Sequence, residues 1–167
     1  MNWLHEVRKI FPKLNKKIIL TDYKKMSGKS LGYVRTRIEQ KFNFDPEALI
    51  LGTNKKIRKT RTKPKEFYIF INSKLEKIEN PELRKQIIQF IMIHELLHVE
   101  REDLITLSKQ YSKRKKKKVH VNKFENEVLD RYNELRELKD IPRIKEKKHL
   151  DVAISKILES INFYGKN

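Results

Sequence analysis

Gln86–Val99 reads QIIQFIMIHELLHV and contains His94-Glu95-Leu96-Leu97-His98, the pattern H-E-x-x-H. Residues four apart share one face of an α-helix, so both imidazoles can reach a single metal ion. Glu95 projects beside that ion, where it can take a proton from water, as in the active-site helix of a zinc peptidase. Three fixed letters also arise by chance, and a His pair on a helix is more often plain surface or core. The neighbours weigh against that. Ile87, Ile88, Phe90, Ile91, Met92, Ile93, Leu96, Leu97 and Val99 are apolar nearly all round, whereas a surface helix keeps a polar face. Two His and a Glu in a buried helix need partners, and a divalent cation supplies them.

A catalytic zinc takes three protein ligands and leaves one position open. The chain has five His: His5, His94, His98, His120 and His149. His120 stands just before Asn122 and Glu125, which form a capping-box pattern. Phe124, Val128, Tyr132 and Leu135 follow at helical spacing, which predicts a second helix packed under the first and holding His120 against the metal. The rivals for third ligand are Glu125 and Glu127. Capping accounts for Glu125, and an exposed pair with Arg131 at i+4 accounts for Glu127. A solvated His120 after a lysine run is the plainer alternative. His5 and His149 have bland explanations on terminal helices.

The stretch Ile69–His98, IFINSKLEKIENPELRKQIIQFIMIHELLH, resembles the small zincin-like metallopeptidases of the SprT, YgjP and phage-metallopeptidase group. These have a strand, a short turn, the H-E-x-x-H helix, then a loop and a third His with an aromatic soon after. His120-Val121-Asn122-Lys123-Phe124 fits that last element. SprT and YgjP proteins often carry Gly or Asn after the third His; Val121 stands here, which favours the phage branch. The likeness covers roughly residues 48–138. It implies one Zn2+ per chain on His94, His98 and His120, with Glu95 as general base. A tyrosine or a basic side chain often helps hold the oxyanion in such enzymes, and Tyr132 and Tyr111 are candidates.

At 167 residues, 38% of them hydrophobic, one domain is expected over 1–167, with its core in about 30–140. There is no Cys, so disulfides and thiolate zinc sites are ruled out. No apolar run is long enough to span a membrane, and MNWLHEVRK lacks a signal-peptide apolar region, so a soluble cytoplasmic protein without membrane partners is expected. The formal charge of +18 points to polyanions, although AT-rich coding or heat adaptation also enriches lysine. Two tracts concentrate it. Lys55, Lys56 and Arg58 open the basic stretch Lys55–Lys65, and Lys113, Arg114, Lys115, Lys116, Lys117 and Lys118 precede His120. As tethered loops they could give the cleft a basic rim, attracting nucleic acid or an acidic peptide; solvated tracts are the simpler alternative.

Along the chain, Trp3, Leu4, Val7 and Phe11 predict a short helix ended by Pro12, and Lys16–Asp22 a strand or extended connection. Ser30 with Leu31, Val34, Ile38 and Phe42 predicts a helix, weakened by Gly32, with a strand as the alternative. Ala48–Leu51 reads as a short strand, Lys55–Lys65 as a hairpin or loop, and Glu66–Asn72 as the best strand in the chain. Asn80-Pro81-Glu82 opens the motif helix. After Pro142, Lys145–Tyr164 predicts an amphipathic helix with Leu150, Ile154, Ile157, Leu158 and Ile161 inward.

The expected fold is α+β and zincin-like, a small antiparallel sheet packed on a buried H-E-x-x-H helix and flanking helices. The expected function is zinc-dependent hydrolysis of peptide bonds in a protein or peptide substrate. From another class comes a basic nucleic-acid-binding protein whose metal site is structural or inactive; a protease acting on DNA-bound proteins combines the two.

Overall fold

The computed structural model describes residues 3–26, 30–36, 40–42, 59–61, 66–102 and 122–165. In chain order these form α1 (Trp3–Arg8), β1 (Lys17–Leu20), β2 (Gly32–Thr36), β3 (Gln40–Phe42), β4 (Lys59–Arg61) and β5 (Glu66–Ile71). A 3-10 turn over Ser73–Lys77 leads to α2 (Pro81–Glu100), followed by α3 (Asn122–Glu137) and α4 (Lys147–Ser160). The strand expected over Ala48–Leu51 lies outside the described residues.

The two-residue period of a strand decides what β5 buries. Phe67, Ile69 and Ile71 point into the core, while Glu66, Tyr68 and Phe70 are half-buried on the other face. The sheet order is β1-β5-β2. β2 runs antiparallel to β5, but β1 runs parallel to it, so the sheet is mixed rather than antiparallel as expected. Only a tight hairpin forces neighbours to be antiparallel, and β1 and β5 are far apart in sequence. The α+β class itself holds.

The helix expected from Ser30 is also corrected, because residues 32–36 form a strand. Tyr33, Val34 and Thr36 favour a pleated surface, and Gly32 is poor in a helix interior. Val34 is buried and Arg35 exposed, the alternation of a strand. Within the basic stretch, β4 pairs antiparallel with β3, which lies outside that stretch; the rest of Lys55–Lys65, where a hairpin or loop is expected, lies outside the described residues.

α2 begins as its sequence dictates: the Asn80 side chain accepts from the Leu83 N–H at 3.0 Å, with Pro81 in the first turn. It contacts α1, α3, β2 and β5, and Met92, Ile93, Leu96, Leu97 and Val99 are fully buried. Gly32 admits it to the sheet. A Cβ there would stand 2.6 Å from Ile91 Cγ2 and 2.9 Å from the Phe70 carbonyl oxygen. Phe124, Val128, Tyr132 and Leu135 of α3 are all buried, as the stripe predicts. From α4, Leu150, Ile154 and Leu158 close the core.

Two polar clusters tie these helices to their neighbours. Gln89 of α2, 2% exposed, donates to Glu6 at 2.8 Å and accepts from Lys139 at 3.1 Å. Asn133 of α3 donates to the Ile144 carbonyl at 2.9 Å and accepts its N–H at 2.8 Å, holding the connection to α4. Among the described residues, no helix is long and apolar enough to cross a membrane.

Candidate functional site

His94, Glu95 and His98 lie in the last two turns of α2, beneath the start of α3. Helical period sets the two imidazoles on one face, and their Nε2 atoms are 3.2 Å apart. That spacing can be compared with what a shared ion needs. Two nitrogens about 2.0–2.1 Å from a tetrahedral zinc stand about 3.3–3.4 Å from each other. The pair therefore fits as two edge-sharing ligands. Neutral imidazoles at this distance can also share an N–H···N hydrogen bond, with one ring donating and the other accepting.

Phe124, the third residue of α3, packs on both rings. It stacks on His98 with centroids 4.4 Å apart at 20°, and meets His94 edge-on at 5.1 Å and 80°. The Arg101 guanidinium lies 5.1 Å from the Phe124 centroid and pairs with Glu127. Arg101 thus spans from the end of α2 to α3, with a charge partner on one side and a π-face on the other.

This corrects the expected Glu127–Arg131 pair. Arg131 instead reaches Glu100 at 3.5 Å, Glu134 at 3.4 Å and the Ile10 carbonyl at 2.6 Å. Where two helices pack side by side, a partner across the interface competes with one at i+4. Glu125 pairs with Lys147 of α4 at 3.3 Å rather than serving only its own helix end. Both rival third ligands therefore already engage a cation.

Glu95 is 9% exposed. Burial raises its pKa to about 7, against the lowering effect of the nearby His98 and of the Val34 N–H, which donates to the carboxylate. Why Val34 can donate follows from the ladder. The Asn72 N–H donates to the Leu31 carbonyl at 2.9 Å, so the alternating pattern bonds residues 31, 33 and 35 to β5. The Val34 N–H points away from β5, toward α2.

Tyr132 is not brought to this pair. It follows Phe124 by two turns of α3, about 12 Å at 1.5 Å per residue. Its hydroxyl donates to the Gln86 carbonyl at 3.5 Å, and its ring packs edge-on against Phe90. Burial raises its pKa, so it keeps its proton as a core tyrosine. His120 and Tyr111 lie outside the described residues, as do Lys55, Lys56, Arg58, Lys113, Arg114, Lys115, Lys116, Lys117 and Lys118. Among the described residues, no group of three or more His, Cys, Asp or Glu could hold a metal ion. The described donors are the two imidazoles.

Sequence reasoning missed four contributors. Phe124 was legible as a buried stripe position, but not as the ring against both His. Gly32 read only as a weakness in a helix, and the Val34 N–H has no sequence signal of its own. Arg101, directly after the motif helix, could have been suspected from its place at a helix C-terminus.

No family model matches the chain, and no curated protein or solved structure matches it.

Proposed function

We propose that the protein is a zinc-dependent peptidase of zincin-like type, with His94 and His98 as two ligands, His120 as the third and Glu95 as general base. The observation that carries this is the 3.2 Å spacing of two imidazole Nε2 atoms beside a buried carboxylate. The likeness of Ile69–His98 to the SprT, YgjP and phage-metallopeptidase group supports it. Zinc, when bound, supplies a Lewis acid that acidifies water and polarises a carbonyl.

The chain's own groups then have defined tasks. Glu95 accepts a proton from the attacking water as its oxygen bonds to the scissile carbonyl carbon. It returns that proton to the amine as the C–N bond breaks. The Val34 N–H holds one carboxylate oxygen, so the other is aimed by the backbone of β2. Phe124 keeps the His98 ring from turning, with Arg101 behind it.

The test is cleavage of a quenched-fluorescence peptide library by zinc-reconstituted protein. Cleavage should need zinc, and Glu95→Gln should abolish it, typically by 100-fold or more, roughly the scale of lost general-base catalysis. Cleavage that survives Glu95→Gln unchanged would remove Glu95 from its role.

A further inference from the structure

The sheet face turned away from α2 alternates aromatic rings with cations. On β5, Tyr68 and Phe70 are half-buried there; on β2, Tyr33 is half-buried and Arg35 exposed; on β1, Lys17 is exposed. Tyr33 stands opposite Phe70 in the β2–β5 register, and their rings stack with centroids 4.9 Å apart at 25°. Each ring carries a cation: Lys24 Nζ is 5.1 Å from the Phe70 centroid, and the Arg35 guanidinium 4.9 Å from that of Tyr33. In the next row, Tyr68 lies between Ile19 and Arg35. Glu66 borders the face, its carboxylate taken by Lys17 at 2.6 Å and by the Tyr68 hydroxyl at 3.1 Å.

The core does not account for these rings, because Phe67, Ile69, Ile71 and Val34 of the same strands already supply its buried side chains. Cross-strand pairing gives a solvent-side aromatic pair some value, but a small one, and aromatic surface left idle is a liability. Rings that are partly open to solvent, with cations at their faces, match one ligand chemistry well. Unpaired bases offer a flat π-surface at every residue, and the chain linking them carries one phosphate each. A duplex hides its base faces. An acidic peptide would use the cations and leave the rings idle.

We propose that this face binds single-stranded nucleic acid, with one base against Tyr68 and others taking the Tyr33 and Phe70 faces that Arg35 and Lys24 now cover, as those two cations turn to the phosphates. The 40 Lys and Arg against 22 Asp and Glu in the chain supply long-range attraction to it. None of these residues belongs to the basic tracts Lys55–Lys65 and Lys113–Lys118. It does not depend on the metal site.

The experiment is fluorescence anisotropy of a labelled oligo(dT) titrated with the full chain at several salt concentrations. Wild type is compared with Tyr33→Leu/Phe70→Leu, which keeps apolar cover on the sheet, and with Lys24→Gln/Arg35→Gln. The aromatic pair should weaken binding by about tenfold or more without changing the salt slope. The cation pair should weaken binding and lower the slope by about two. Single strands should bind more tightly than a duplex of equal length. Wild-type affinity in the aromatic variant, a preference for duplex, or no binding even at low salt would each overturn the proposal. Should the aromatic variant fail to fold, ultraviolet cross-linking of wild type to a bromouracil-bearing strand decides. Adducts at Tyr33, Tyr68 or Phe70 support the proposal, and adducts confined elsewhere refute it.

Discussion

The ring of Phe124 lies nearly parallel to the imidazole of His98, with 4.4 Å between centroids and 20° between planes. One residue of α3 thus fixes the orientation of a side chain on α2, and does so from a fully buried position. Phe124→Ala should cost about 3–5 kcal/mol of stability, as expected for emptying a buried phenyl site. Phe124→Leu fills most of that space but has no flat face, so it should fold while binding zinc more weakly. Urea unfolding and a competitive zinc titration measure the two effects separately. Equal zinc affinity in Phe124→Leu and wild type would show that the stack does not position His98.

Gly32 makes a similar contribution on the other side of α2. A methyl group there would press on the Phe70 carbonyl at 2.9 Å as well as on Ile91. The Ile91 side chain can shift, but the carbonyl belongs to the sheet. Gly32→Ala should therefore destabilise the fold by about 1–3 kcal/mol, although alanine ordinarily gains over glycine through the unfolded state. A thermal melt decides the sign. An unchanged or higher midpoint would mean that α2 is not seated on β2 at this contact.

Glu6 sets a pH dependence remote from the site. The Lys139 hydrogen bond, joined by Gln89 and Lys85 and opposed by burial, lowers its pKa from 4.5 to about 2. A carboxylate whose pKa is depressed on folding adds stability above its unfolded pKa and loses it as pH falls through the folded value. The contribution should thus be full above pH 5 and vanish between about 4.5 and 2. With the Glu6 side chain 29% exposed, solvent screening reduces it to about 1–2 kcal/mol. Glu6→Gln should be less stable than wild type at pH 7 and nearly equal to it at pH 2, by denaturant titration at each pH. A constant difference across that window would contradict the assignment.

Elements with one dominant local signal were legible in the sequence. α2 has its Asn80 cap and apolar residues nearly all round, α3 its stripe from Phe124 to Leu135, and β5 its aromatic and β-branched residues. β2 misled because Leu31, Val34 and Ile38 fall at helical spacing by coincidence, while its β-branched and aromatic residues favour a strand. The direction of β1 was not legible, since no turn links it to β5. At the site, helical period alone places His94, Glu95 and His98 together. A stripe says which face Tyr132 occupies but not its height along the helix, so its distance from the pair needed the packing of α3 on α2. The same packing redirected Glu127 from Arg131 to Arg101.

If His94 and His98 share one ion, with Glu95 beside it but not a ligand, zinc content should follow the imidazoles and not the carboxylate. Elemental mass spectrometry of purified, zinc-reconstituted protein tests this most directly, on wild type beside His98→Ala, His120→Ala and Glu95→Gln. One zinc per chain is expected in wild type and in Glu95→Gln, with a clear loss in both His variants. Wild type without zinc after reconstitution, or zinc retained in full by His98→Ala, would contradict it.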